Sequence, residues 1–224
     1  MGWALRQHGR DMNSEPRQLT AISWKLLLLS GTLAARAAQD QPAPGLFHSA
    51  STRPLFAHAR YEIALNNGVL FSPFVATENR PSINYTVTEL QFGYMLTDVK
   101  GAGWLRGNFE ILADGFGSSV FKGGGTYAAG ATMWLRYNFV SPRCRLAPYA
   151  QAGGGFAFTD IDRRIVGQDF NFNIDFGIGL RYLVASRWAL GLEYRFQHIS
   201  NGNMASSNVG INAHGPVFGV SYFF

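Results

Sequence analysis

The sequence predicts an all-β protein, an eight-stranded antiparallel transmembrane β-barrel of the outer-membrane type occupying residues 60–224. Three observations lead there. From residue 60 onward apolar and polar residues alternate with period two, the pattern of strands with two unlike faces. The polar face carries mid-strand charges (Arg106, Glu110, Arg136, Asp175, Arg181, Glu193 and Arg195) opposite a large apolar face. Aromatic residues gather at strand ends, where the interfacial girdles of a membrane barrel belong. The composition agrees, with 26 glycines and 14% aromatics but only 15% charged residues.

Taken in chain order, residues 1–37 read as a secretory signal. Arg17 and Lys25 precede the apolar run LLLLSGTLAA, and Ala35-Arg36-Ala37 supplies small residues for cleavage. The run is shorter than the ~18 apolar residues of a membrane-spanning helix. The long basic stretch ahead of it makes Met12 an alternative start. The segment holds five of the 19 basic and two of the 14 acidic residues, so the remainder has 14 and 12, a net charge of +2. The whole-chain pI of 9.6 therefore gives no support for nucleic-acid binding. Cys144 is the one cysteine and forms no internal disulfide. Residues 38–59, with Pro42, Pro44, His48 and Pro54, read as an irregular periplasmic lead-in.

Eight alternating segments follow, expected near 61–71, 86–96, 104–115, 125–139, 146–159, 170–184, 188–200 and 214–224. The sixth is the clearest. Phe170, Phe172, Ile174, Phe176, Ile178, Leu180 and Tyr182 share one parity; Asn171, Asn173, Asp175, Gly177, Gly179 and Arg181 share the other. The fourth sets Tyr127, Met133, Leu135, Tyr137 and Phe139 against Thr132, Arg136 and Asn138. In the seventh, Trp188, Leu190, Leu192, Tyr194 and Phe196 lie opposite Ala189, Gly191, Glu193 and Arg195.

A soluble sandwich or lipocalin-like barrel would turn the apolar face inward, whereas a membrane barrel turns it toward lipid. The segments are near the ~9–11 residues that cross a bilayer, and the charges of the other face can pair inside a lumen. The closing run GPVFGVSYFF resembles the C-terminal strand by which bacterial outer-membrane barrels are recognised for assembly. Joints after segments 2, 4 and 6 (TDVKGAG, VSPRCR, VASR) are short, and those after 1, 3, 5 and 7 are expected to be longer. Short joints mark the periplasmic side, so both termini are expected there and the long loops outside.

Chemistry concentrates in YRFQHISNGN, residues 194–203. His198 and Ser200 share the parity of Tyr194 and Phe196 and therefore face the membrane, at the outward end of segment 7. Two residues apart on one strand face, they lie roughly 7 Å apart at Cα, close enough for an imidazole to take a hydroxyl proton. Taken alone, His-x-Ser is a weak signal; a girdle histidine beside a loop serine is the plain alternative.

The wider run FQHISNGN…NVGIN…GVSYFF resembles the PagL family, outer-membrane lipid A 3-O-deacylases also described as acyloxyacyl hydrolases. His198, Ser200 and Asn201, then Asn208, Gly210 and Ile211, carry the resemblance. It implies a serine esterase in a barrel wall that hydrolyses the 3-O-linked hydroxyacyl chain of lipid A. Ser200 would be nucleophile and His198 general base; Asn201, with backbone N–H groups around Gly202 and Asn203, would stabilise the oxyanion. That family pattern often has glycine where Asn203 stands. Its best-known members carry glutamate at the position of Asn212, which would here orient the imidazole as an amide. Asp160 or Asp162 is an alternative third member. Glu193 has lumen parity, and His214 reads as interfacial.

The implied partners are lipid A, or lipopolysaccharide, of the outer leaflet and the surrounding outer-membrane lipids; a homodimer is left open. A Ser/His mechanism requires no cofactor. Five histidines and one cysteine, without H-E-x-x-H or C-x-x-C, point to no catalytic metal. The GGGT run at 123–126 lacks the following helix of a phosphate-binding turn. Arg163 and Arg164 read either as a solvated loop pair or as contacts to lipid A phosphates. The rival function is a non-enzymatic small barrel with a structural or adhesive role, or a barrel of this family that has lost activity with the acidic residue.

Overall fold

The structure is a computed structural model. It describes residues 55–72, 82–142 and 144–224; the expected signal at 1–37 and most of the lead-in lie outside them. Eight strands form one closed antiparallel barrel in which each pairs with its sequence neighbours and the first with the last. They are β1 (Tyr61–Leu70), β2 (Asn84–Met95), β3 (Gly107–Lys122), β4 (Tyr127–Phe139), β5 (Leu146–Thr159), β6 (Phe170–Leu183), β7 (Trp188–Ser200) and β8 (Ile211–Phe223). Closure leaves no strand edge, so the ladder bonds the backbone polar groups that lipid cannot satisfy.

The alternation becomes an inside and an outside. On β6, Asn171, Asn173 and Asp175 are buried in the lumen, while Phe172, Ile174, Phe176 and Ile178 stand exposed on the outer wall. Two aromatic groups mark its ends. Tyr61, Phe92, Tyr94 and Phe224 are in ring contact where β1 begins and β8 ends. Phe156, Phe158, Phe170 and Phe172 make a second run toward the opposite end.

Large and small side chains alternate inside. A Cβ at Gly93 would lie 2.4 Å from Glu110 Oε1, at Gly153 2.6 Å from the Trp134 ring, and at Gly177 2.5 Å from Glu193 Oε1. Lumen glycines thus leave room for bulky polar neighbours. Arg136 and Arg181 bridge Glu62 and Glu110 at 2.8–3.6 Å, with all four side chains at most 3% exposed. Arg195 joins Glu89 and Glu193, and its guanidinium stacks 4.7 Å over Trp134. Of the charges expected in mid-strand, Arg106 differs: it ends a 3-10 turn at Gly103–Leu105 ahead of β3.

Apolar clusters close the polar lumen at both ends. Leu55, Phe56, Met95, Val140, Leu183 and Phe223 pack together at the end where β1 begins and β8 ends. Residues 55–59, read from sequence as part of the lead-in, therefore begin with a plug, held further by Asn108 Nδ2 donating to Phe56 O at 2.9 Å. Leu70, Ile83, Val120, Ile161, Val166, Ile199 and Ile211 belong to the cluster at the opposite end.

Two boundaries differ from expectation. β3 runs on to Lys122 because Gly115, Gly117, Ser118 and Ser119, loop-like in composition, pair on both sides with β2 and β4. The joint after it is only 123–126, while that after β2 covers 96–106, so joint length does not separate the two ends as expected. β8 starts at Ile211 rather than 214, extending the β7–β8 ladder by Ile199↔Ile211 and His198↔Asn212.

Candidate active site

That extension assembles the site. His198 and Asn212 are cross-strand partners on the outer wall, and Ser200 follows on the same face of β7. Asn212 Oδ1 lies 2.6 Å from His198 Nδ1, and His198 Nε2 lies 2.9 Å from Ser200 Oγ. With the amide oxygen as acceptor, Nδ1 carries the ring proton. The Nε2 lone pair then accepts the Ser200 O–H. The relay can take up the serine proton at a ring already fixed in the productive tautomer. All three side chains are half-buried. On the other side, Phe172 stands opposite Ser200 and Ile174 opposite His198, so apolar outer-wall residues flank the hydroxyl.

The turn after Ser200 is tight. Gly202 and Asn203 have φ of 62° and 65°, and Met204 N–H donates to Asn201 O at 3.2 Å. Positive φ at both central positions suits Gly-Asn. Among the described residues, the Gly202 and Asn203 N–H groups donate to no backbone acceptor. Gly210 backs the pair: a Cβ there would lie 3.2 Å from His198 Cε1 and 3.4 Å from Ser200 Cβ.

Asn201 is placed differently from the expectation for its side chain. It has lumen parity, is fully buried, and its Nδ2 donates to Val166 O at 2.9 Å and Ser207 O at 2.7 Å. Both amide hydrogens therefore point away from the Ser200 hydroxyl. Odd parity, one residue past Ser200, was the available signal.

The alternative third members are held in their own loops. Asp160 accepts from Thr126 N at 2.6 Å, from Tyr127 N at 2.9 Å and from the Thr126 hydroxyl. Burial pushes its pKa up, but these hydrogen bonds outweigh it and hold the carboxyl below its ordinary value. Asp162 caps the short helix α1 (Arg163–Val166), accepting from Arg164 N at 2.9 Å. The Arg164 guanidinium also bonds it and brings its pKa down to about 2. Arg163 pairs with Asp169 at 2.9 Å, so both loop arginines face acids of the same loop. Glu193 lies in the lumen, and His214 Nδ1 bonds the Tyr194 hydroxyl on the outer wall. Among the described residues, no group of three or more His, Cys, Asp or Glu is arranged to hold a metal.

Comparison with known proteins decides the family. The profile of lipid A 3-O-deacylases (PagL) matches residues 84–221, more than half of the 224. The chain belongs to the PagL family. It is thus an outer-membrane barrel of a family of lipid A hydrolases. A crystal structure of the outer-membrane enzyme PagL is similar, with TM-score 0.51 and 16% identity over 70% of this chain and 97% of that one. Neisserial surface protein A gives 0.52 and 15%, over 74% and 97%. The N-terminal barrel of Pseudomonas aeruginosa OprF gives 0.50 and 16%, over 75% and 98%. At these identities the likeness speaks to the barrel alone. No curated protein sequence matches the chain. Within the PagL family match lie all of β7, its turn and β8 as far as Ser221, including His198, Ser200 and Asn212.

Proposed function

We propose that the protein is a serine esterase of the outer leaflet that removes the 3-O-linked hydroxyacyl chain from lipid A. One observation carries the reading: an Asn212–His198–Ser200 relay on the lipid-facing wall of a barrel of this family. In this reading β1 begins and β8 ends on the periplasmic side, as in the sequence expectation, and Ser200 then lies at the outer end of β7 among leaflet headgroups and ester linkages.

Ser200 Oγ attacks the ester carbonyl carbon as its proton passes to His198 Nε2. The carbonyl oxygen becomes an oxyanion, met by the backbone N–H groups of Gly202 and Asn203. Collapse breaks the bond to the sugar 3-oxygen, which takes the proton from His198. Water, activated by the same imidazole, then attacks the acyl-Ser200 ester and releases the hydroxy fatty acid. Asn212 Oδ1 holds the tautomer throughout, and Phe172 and Ile174 flank the departing chain. No step calls for a cofactor.

The test is incubation of the purified barrel with lipopolysaccharide in detergent, with lipid A read by mass spectrometry. Loss of one hydroxyacyl chain is expected with the unmutated protein and not with Ser200→Ala. An unchanged spectrum from folded, unmutated protein would instead establish a barrel without this activity.

Asn212→Asp tests the third position. A carboxylate accepting the Nδ1 hydrogen stabilises the imidazolium more than an amide does, because charge-assisted bonds are roughly twice as strong. We expect kcat to hold or rise by up to about tenfold. Loss of activity would place Asn212 outside the relay.

A further inference from the structure

A one-turn helix cannot satisfy its own last carbonyls, so α1 needs donors from elsewhere. Its three final carbonyls all find them in the loop that follows Ser200. Arg164 O accepts from Ser207 Oγ at 2.5 Å, Ile165 O from Gly210 N at 3.0 Å, and Val166 O from Asn201 Nδ2 at 2.9 Å. The second Asn201 amide hydrogen meets Ser207 O at 2.7 Å. Asn201 N–H donates to Asn208 Oδ1 at 3.1 Å, and Asn208 Nδ2 to Asn203 Oδ1 at 2.8 Å. The helix is anchored in turn, since Ile165 and Val166 lie in the apolar cluster with Ile199 and Ile211.

Close approach of the two loops depends on Gly167. Its φ is 77°, and a Cβ there would stand 2.1 Å from Ser207 O and 2.3 Å from Asn201 Nδ2. No other residue fits that position without moving the clasp.

We propose that Asn201 is a positioning residue, and that α1 acts through it to hold the Gly202–Asn203 turn beside Ser200. The loop between β5 and β6 is then part of the esterase machinery, although it supplies no side chain to the reacting atoms. Oxyanion stabilisation falls to backbone N–H groups whose direction this clasp sets. Such donors act only when already aimed, so a loosened turn lowers kcat more than it weakens substrate binding. The inference rests on Ser200 being the nucleophile.

The experiment compares Asn201→Leu, Gly167→Ala, their combination and the milder Ser207→Ala in the full barrel. Folding is checked by heat-modifiable gel mobility. Lipid A deacylation gives kcat and KM, and hydrogen exchange reports the Met204 and Gly210 amides, which donate to Asn201 O in the turn and to Ile165 O of the helix. Asn201→Leu and Gly167→Ala should each lower kcat tenfold or more with KM changed less than threefold. Both should speed exchange of the two amides, and the double variant should be no slower than the worse single one. Ser207→Ala, which removes one clasp bond, should lower kcat a few-fold with the same exchange signature if Gly167→Ala does not fold.

Additive losses with unchanged amide exchange would overturn the proposal and place the Asn201 side chain on the substrate. Unchanged kcat despite faster exchange would overturn it too, for the clasp would then be structural only. If the unmutated barrel leaves lipid A intact, the esterase reading fails and this role with it. The exchange data would still show whether Asn201 holds the turn.

Discussion

His198→Ala is expected to lower the rate of lipid A deacylation by about 10⁴- to 10⁶-fold, as loss of the base does in other serine hydrolases. The effect is large because, in the proposed mechanism, Nε2 accepts the Ser200 proton and then returns it to the leaving oxygen. Without the ring, Ser200 is an ordinary alcohol beside an ester. A second feature separates a working relay from independent contributions. Ser200→Ala and the His198→Ala/Ser200→Ala double variant should leave the same residual rate as His198→Ala, since each removes the same path. Time courses of lipid A mass spectra measure all three. Labelling of Ser200 by a fluorophosphonate should vanish in parallel. A His198→Ala barrel that retains a tenth of the activity would remove His198 from the mechanism.

Arg181→Ala should destabilise the barrel by about 3–5 kcal/mol, the range for breaking a buried ion pair from one side. Arg181 Nη2 lies 2.8 Å from Glu62 Oε2 and 3.3 Å from Glu110 Oε2. Its removal leaves two buried carboxylates with Arg136 alone, at 3.6 and 3.4 Å. Unfolding by urea in lipid vesicles measures the loss. Glu62→Gln added to Arg181→Ala should recover part of it, because one uncompensated charge is removed along with the arginine. A loss below about 1 kcal/mol would mean that water hydrates the carboxylates within the lumen. These substitutions lie far from the relay and should leave kcat of the folded fraction unchanged.

Most of the barrel was legible in the sequence because strand parity is a local property. Asn173, Asp175 and Arg181 on one side and Phe172, Ile174 and Phe176 on the other announce two solvents without knowledge of any partner strand. Parity also turned His198 and Ser200 toward lipid. What stayed hidden depends on register and on distant contacts. Composition suggests loop for Gly115–Ser119, and only the pairing of β2 and β4 with those residues makes them strand. Asn212 opposite His198 follows from where β8 begins, which a polar run such as NVGINA does not reveal. Trp134 is the case where size misleads. It shares parity with Arg136, and its indole N–H donates to Asp114 Oδ2 at 2.5 Å inside the lumen. The α1 clasp lies beyond any local pattern, since Ile165 and Gly210 meet only once the wall is closed.

The two apolar stoppers bear on how such a protein can live in its membrane. A barrel threaded by a continuous wet path would leak ions and small solutes in proportion to its abundance. Here Phe56 and Phe223 at one mouth, and Ile199, Ile211 and Val166 at the other, interrupt that path. The charged lumen lies between these two apolar clusters, so its guanidinium–carboxylate pairs are sheltered from bulk salt. Copies can therefore accumulate in the bilayer without eroding its permeability barrier, and whatever chemistry the wall performs is uncoupled from transport through the middle.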